Sequence, residues 1–217
     1  MALGLSTGTG SGEYTLVVKY DARAGRWFRI DRTQDAAGNW NSDDVDVTHG
    51  FQAVMDLENI EVGWMLFAAG VAPQWNMVKL NEALPPKPSD QHKQGFRMML
   101  KLGKSISADP AGDVREFASQ AKAVIGAVDA LHTEFEKGRA ANPGKLPVVA
   151  MTGTTAIKTT GKGQTATNYA PVFEIKQWID RPPELAGKAV EAAEPPTAEP
   201  PKAAAPAREM ATAGAEF

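Results

Sequence analysis

The three histidines, at positions 49, 92 and 132, stand far apart, and the chain contains no cysteine. No familiar nucleophile pattern is present. The run Gly8-Thr9-Gly10-Ser11-Gly12 precedes the first strand-like segment and lacks the Gly-Lys-Ser/Thr ending that a phosphate loop needs. The expectation is therefore a protein that is no enzyme and uses no cofactor. Asp43, Asp44, Asp46 and His49 carry oxygen and nitrogen donors, but their spacing matches no calcium loop, so the segment reads as a solvated acidic loop with no metal. The side chains that remain are cationic and aromatic. Lys19, Trp27 and Arg29 fall in one segment, Arg97 and Lys101 in a second, Lys158, Lys162 and Tyr169 in a third, and Lys176 and Trp178 in a fourth. These types suit a non-covalent chemistry. Flat rings stack unpaired bases, at roughly 1–3 kcal/mol each, while Lys and Arg follow the phosphates.

The elements that would position them are mostly strands. Residues 14–20 alternate, with Tyr14, Leu16, Val18 and Tyr20 on one side and Lys19 on the other. A turn at 22–25 leads to a second alternating run, 26–31. Placing Phe28 and Ile30 on the apolar side gives the polar side of this hairpin Lys19, Trp27 and Arg29. Residues 51–57 and 60–67 read as strands, with Trp64 and Phe67 in the core and Gly63 marking a bulge or bend. Pro73, Pro85, Pro86 and Pro88 make 70–94 loop-rich, with one short strand at 76–80. In 95–102, Phe96, Met98, Leu100 and Leu102 alternate with Arg97, Met99 and Lys101, giving a greasy face and a basic one.

One helix is expected over 113–137. Val114, Phe117, Ala118, Ala121, Val124, Ile125, Val128, Leu131 and Phe135 recur at spacings of three and four, with Asp109 as cap and Pro110 at the first turn. After it, residues 146–180 hold two apolar runs around the Thr-, Gly-, Lys- and Ala-rich stretch 152–168. That reads as two strands joined by a long loop, and compact domains seldom keep such a loop unless it binds something. It contains no acidic residue, so an extended anionic ligand is indicated. The last strand, 172–179, would turn Phe173, Ile175 and Ile179 inward and Lys176 and Trp178 outward.

Charge follows the same division. Residues 184–217 carry six Glu against Lys188, Lys202 and Arg208 and account for the whole net charge of −3, leaving a neutral body. Neutrality argues against a strongly basic duplex binder but permits a local basic groove. The division expected is a flexible leader at 1–13, one domain at 14–183 and a disordered Pro/Ala/Glu-rich tail at 184–217. No segment reads as a membrane span or signal peptide, and a cytoplasmic setting fits the absence of cysteine.

Several strands, one helix and two final strands fit a mainly β fold, the small five-stranded Greek-key barrel called the OB-fold, in which a helix precedes the last two strands and the loop between those two grips oligonucleotides. A β-sandwich with an inserted helix would give a similar string. The chain also ends Gly214-Ala215-Glu216-Phe217. In this it resembles the single-stranded DNA-binding proteins of bacteria and their phages, whose OB-fold is followed by a disordered linker and an acidic tip ending in Phe. That resemblance implies binding of single-stranded DNA with little sequence preference, in phage or plasmid replication or recombination in the bacterial cytoplasm. It also implies docking of replication or recombination proteins by Glu216 and Phe217, with a homodimer possible. The tip departs from the family in having only Glu216, with Glu209 further back. Two other functions fit the residues: a structural or assembly protein, such as a virion or tail component, whose barrel makes protein contacts, and a metal-dependent enzyme using Asp43, Asp44, Asp46 and His49.

Overall fold

The computed structural model describes residues 15–68, 73–109, 112–161 and 164–186. The expected leader at 1–13, Lys162, and the tail tip with Glu216 and Phe217 lie outside the described residues. Strand β1 (Val17–Asp21) turns through Gly25, whose φ of +67° admits glycine readily, into β2 (Arg26–Gln34). The turn pairs Asp21 with Arg26 and Tyr20 with Trp27. Residues facing each other across two strands share a side of the sheet, so Trp27 must follow Tyr20 into the core. Trp27 is fully buried, which corrects its expected place on the outer, polar side. The acidic stretch is a strand and not a loop: β3 (Trp40–Asp46) pairs with β2 along its whole length.

Strand β4 (Gln52–Met55), a single 3-10 turn (Leu57–Asn59), β5 (Glu61–Leu66), β6 (Gln74–Lys79) and β7 (Lys93–Leu102) follow. Gly63 makes no bulge. A side chain there would come within 2.1 Å of the Asn76 carbonyl, so glycine lets the backbone of the paired strand β6 approach closely. Phe67 is 48% exposed instead of belonging to the core, and Trp64 is only partly buried, its indole N–H donating to the Pro85 carbonyl at 2.8 Å.

The helix starts later than its apolar spacing predicts. Residues Val114–Ser119 form β8, and α1 spans Lys122–Arg139 with Ala121 at its N-cap and no side-chain cap. Val114, Phe117, Ala118 and Ala121 fit the helical spacing, but in the strand Phe117 shares its buried face with Arg115 while Val114 and Ala118 lie opposite. The sheet decides for strand, because β8 fills the gap between β7 and β1. Asp109 therefore caps nothing in α1, and Pro110 lies outside the described residues. Val124, Val128, Leu131 and Phe135 form the buried stripe as expected.

Strands β9 (Lys145–Gly161) and β10 (Gln164–Asp180) pair antiparallel over almost their entire lengths. The expected loop at 152–168 is thus a ribbon, and only the segment around Val148–Ala150 of β9 joins the rest of the sheet, through β4. Strand order is β10-β9-β4-β7-β8-β1-β2-β3, with β5 and β6 branching from β7, and β1 runs parallel to β8. The fold is mainly β, with one long helix before the last two strands, and is compatible with a barrel. Its core is aromatic: Trp27 stacks on Phe51 at 3.9 Å and tilts against Phe117 at 4.6 Å and Tyr20 at 5.2 Å. A short helix α2 (Pro183–Ala186) buries Leu185, so the compact body continues past 183. Among the described residues no helix is long and apolar enough to cross a membrane.

Candidate nucleic-acid interface

Among the described residues the expected contact residues do not form one face. Trp27 is interior. Trp178 is the second correction: β10 shifts register between Ile175 and Gln177, and the extra residue turns Trp178 to the helix side, where it stacks on Phe135 at 5.5 Å. A side chain at Gly138 would collide with its ring. Ile179 correspondingly leaves the inner face and lines an outer groove of about 350 Å³ with Val54, Lys101 and Val148.

Most of the expected cations are already matched by carboxylates. Arg29 grips Asp31 at 2.8 Å from the interior side of the sheet, and Lys19 meets Asp44 at 2.7 Å. Lys101 reaches Glu184 of α2 at 2.8 Å, and Lys176 reaches Glu174 at 2.5 Å. Arg97 lies 2.6 Å from Glu61 and 3.9 Å from Glu116, with its guanidinium 5.1 Å from the Trp75 ring centre. Of the acidic group once weighed as metal donors, Asp44 and Asp46 are engaged by Lys19 and Arg26, and Asp43 faces the other side of β3.

Glu116 is the least comfortable of these charges. Burial pushes its carboxyl above the ordinary 4.5; Arg97 pulls the other way, and Glu61 adds to the rise. A raised carboxyl favours the neutral form in the fold. Its ionisation therefore costs stability, a cost absent below the ordinary value and complete above the folded one. Glu116→Gln is expected to raise the melting temperature by a few degrees at pH 7 and to leave it unchanged near pH 4. Equal shifts at both pH values would show that packing, and not charge, is responsible.

What remains for an anionic ligand is the ribbon. Pairing sets Tyr169 opposite Ala156 and Thr167 opposite Lys158, so Tyr169, Thr167, Ala156 and Lys158 share one face. Lys158 is exposed, as are Thr154, Ala156 and Thr165 through Thr167. With no acidic residue between Thr152 and Asn168, nothing within the ribbon offsets its positive charge. The root is fixed by the β1–β2 turn: the Tyr169 amide donates to the Ala22 carbonyl at 2.6 Å, and Gly25 leaves just enough room, since a side chain there would approach Tyr169 to 3.1 Å. This brings exposed Arg23 beside the ribbon. Sequence reading missed Arg23 because only tertiary contact places that turn there. It also missed Trp40, 58% exposed at the start of β3, because that segment read as a loop.

A mainly β body with one helix and a projecting acid-free ribbon is the class that fold and site together define. Comparison with known proteins adds no narrower identity: no protein family, no curated protein and no solved structure matches the chain.

Proposed function

We propose that the protein binds single-stranded DNA with little sequence preference, acting without catalysis in phage or plasmid replication or recombination in the bacterial cytoplasm. The observation that carries the reading is the ribbon, which combines exposed Lys158, half-buried Tyr169 and a row of exposed hydroxyls with no acidic residue from Thr152 to Asn168. Arg23 at its root adds a cation to the same region. In this mechanism phosphates run along the ribbon and a base stacks on Tyr169. Through Glu216 and Phe217 the tail would recruit replication or recombination proteins.

The test is fluorescence anisotropy of labelled oligo-dT at low and high salt. Affinity is expected to fall as salt rises, because bound phosphates release counterions. Lys158→Ala should flatten that slope, and Tyr169→Ala should weaken binding by about 1–3 kcal/mol, the usual worth of one stacked base. No anisotropy change at micromolar protein in low salt would sink the proposal. A structural or assembly role is the second reading, favoured by the same projecting ribbon as an element that inserts into neighbours. Large open assemblies that grow with concentration and ignore nucleic acid would select it.

A further inference from the structure

The ribbon has an edge that its DNA-binding reading leaves unused. Strand β9 pairs with β10 on one side, while on the other it is held by β4 over Val148–Ala150 and by one further bond, from the Met151 amide to the Phe51 carbonyl at 3.1 Å. Beyond Met151 no strand covers that edge among the described residues. Two-stranded ribbons with little packing are marginal in water, and exposed edges present ready templates for another chain. Edges are ordinarily protected by charges, prolines or bulges, and from Gly153 to Gly161 this one carries only Lys158.

The sequence of that edge is nearly its own mirror. Gly153-Thr154-Thr155-Ala156-Ile157-Lys158-Thr159-Thr160-Gly161 reads almost alike in both directions about Ile157. The geometry points to an interaction surface for a second copy of this chain: β9 pairs antiparallel with the partner's β9 across a two-fold axis at Ile157, joining two ribbons into one four-stranded sheet. In that register glycine meets glycine, threonine meets threonine twice on each side, and Ile157, 38% exposed in the single chain, meets its own copy. Lys158 meets Ala156, so the one charge never faces itself. Cross-strand threonine pairs and apolar pairs are favourable, and a self-complementary patch is what a two-fold interface requires. Residues facing each other in antiparallel strands share a side, so Lys158 and Tyr169 of both copies would lie on one continuous face.

Sedimentation of the full chain without nucleic acid, at micromolar concentration, should give twice the mass of one chain. Ile157→Lys sets two cations opposite each other and should raise the dimer dissociation constant about tenfold, with an unchanged far-UV circular dichroism spectrum. Since the protein has no cysteine of its own, Ile157→Cys offers a direct probe of the axis. Facing residues of antiparallel strands lie within disulfide reach, so mild oxidation should link this variant into dimers much faster than Val172→Cys on β10. A monomer at all concentrations, a dimer indifferent to Ile157→Lys, or equal cross-linking of the two cysteine variants would each overturn the inference. None of these readouts uses DNA, so their failure is separate from that of the DNA-binding proposal.

Discussion

Trp27→Ala is expected to lower the free energy of unfolding by about 3–5 kcal/mol, the range for deleting a buried aromatic ring. The ring is fully buried, stacked on Phe51 and flanked by Tyr20, Phe117 and, at 6.3 Å, Phe173, so its loss opens a cavity bordered by four aromatic rings. Urea titration followed by far-UV circular dichroism measures the change. Trp27→Phe should cost well under half as much, for two reasons. It keeps the stacked ring, and it removes an indole N–H that is buried without a hydrogen-bond partner. If Trp27→Ala instead melted like the wild type, the core assignment of β2 would be wrong.

Arg115→Met is the other large effect, also at about 3–5 kcal/mol, because it strands buried charge. Arg115 is 1% exposed on the inner side of β8. Its guanidinium donates to the Ile30 carbonyl at 2.7 Å, the Val17 carbonyl at 3.2 Å, Asp31 at 2.8 Å and Asp113. One side chain thus ties β8 to both strands of the first hairpin. Burial alone would raise the Asp31 carboxyl. Hydrogen bonds from Arg29 and Arg115, and their charges, outweigh it and hold the group below its ordinary 3.8. A depressed carboxyl contributes stability that is present above the ordinary value and lost as pH falls through the folded one. The penalty of Arg115→Met should therefore shrink as pH drops below about 4, read as the difference between the two proteins' unfolding free energies. A penalty constant with pH would mean that the carbonyl bonds, and not Asp31, dominate.

Much of the fold was legible because local pattern and tertiary demand agree. The alternation of 95–102 puts Phe96, Met98, Leu100 and Leu102 inside β7, and the spacing of Val124, Val128, Leu131 and Phe135 places α1 on the core. Trp27 was misplaced because both sides of 26–31 carry large apolar groups, so alternation alone does not choose between them. The turn does choose: once Asp21 pairs with Arg26, Tyr20 faces Trp27, and a buried tyrosine commits the tryptophan. Trp178 had no such signal, since one skipped residue in β10 reverses its side and bulges leave no mark in composition. The start of α1 was misread for a different reason: Val114 to Ala121 carry helical spacing, and only pairing with β1 and β7, which buries a charged Arg115 beside Phe117, makes them a strand. For the interface, residue types were readable but their pairing was not. That Arg97 and Lys101 meet Glu61 and Glu184 depends on register and chain reversal, whereas the i,i+2 pair of Glu174 and Lys176 and the acid-free character of 152–168 are properties of the sequence itself.

The parallel pairing of β1 with β8 has a consequence for how the chain comes to be folded. Val17 sits beside Glu116, and the Arg115 guanidinium reaches the Val17 carbonyl from 98 positions away. As the chain leaves the ribosome, the first hairpin exists long before the strand that covers its open edge. Closing so large a loop is slow, and a nascent edge left waiting is open to wrong partners. Synthesis must therefore run on by about 98 positions before the first hairpin gains its native neighbour.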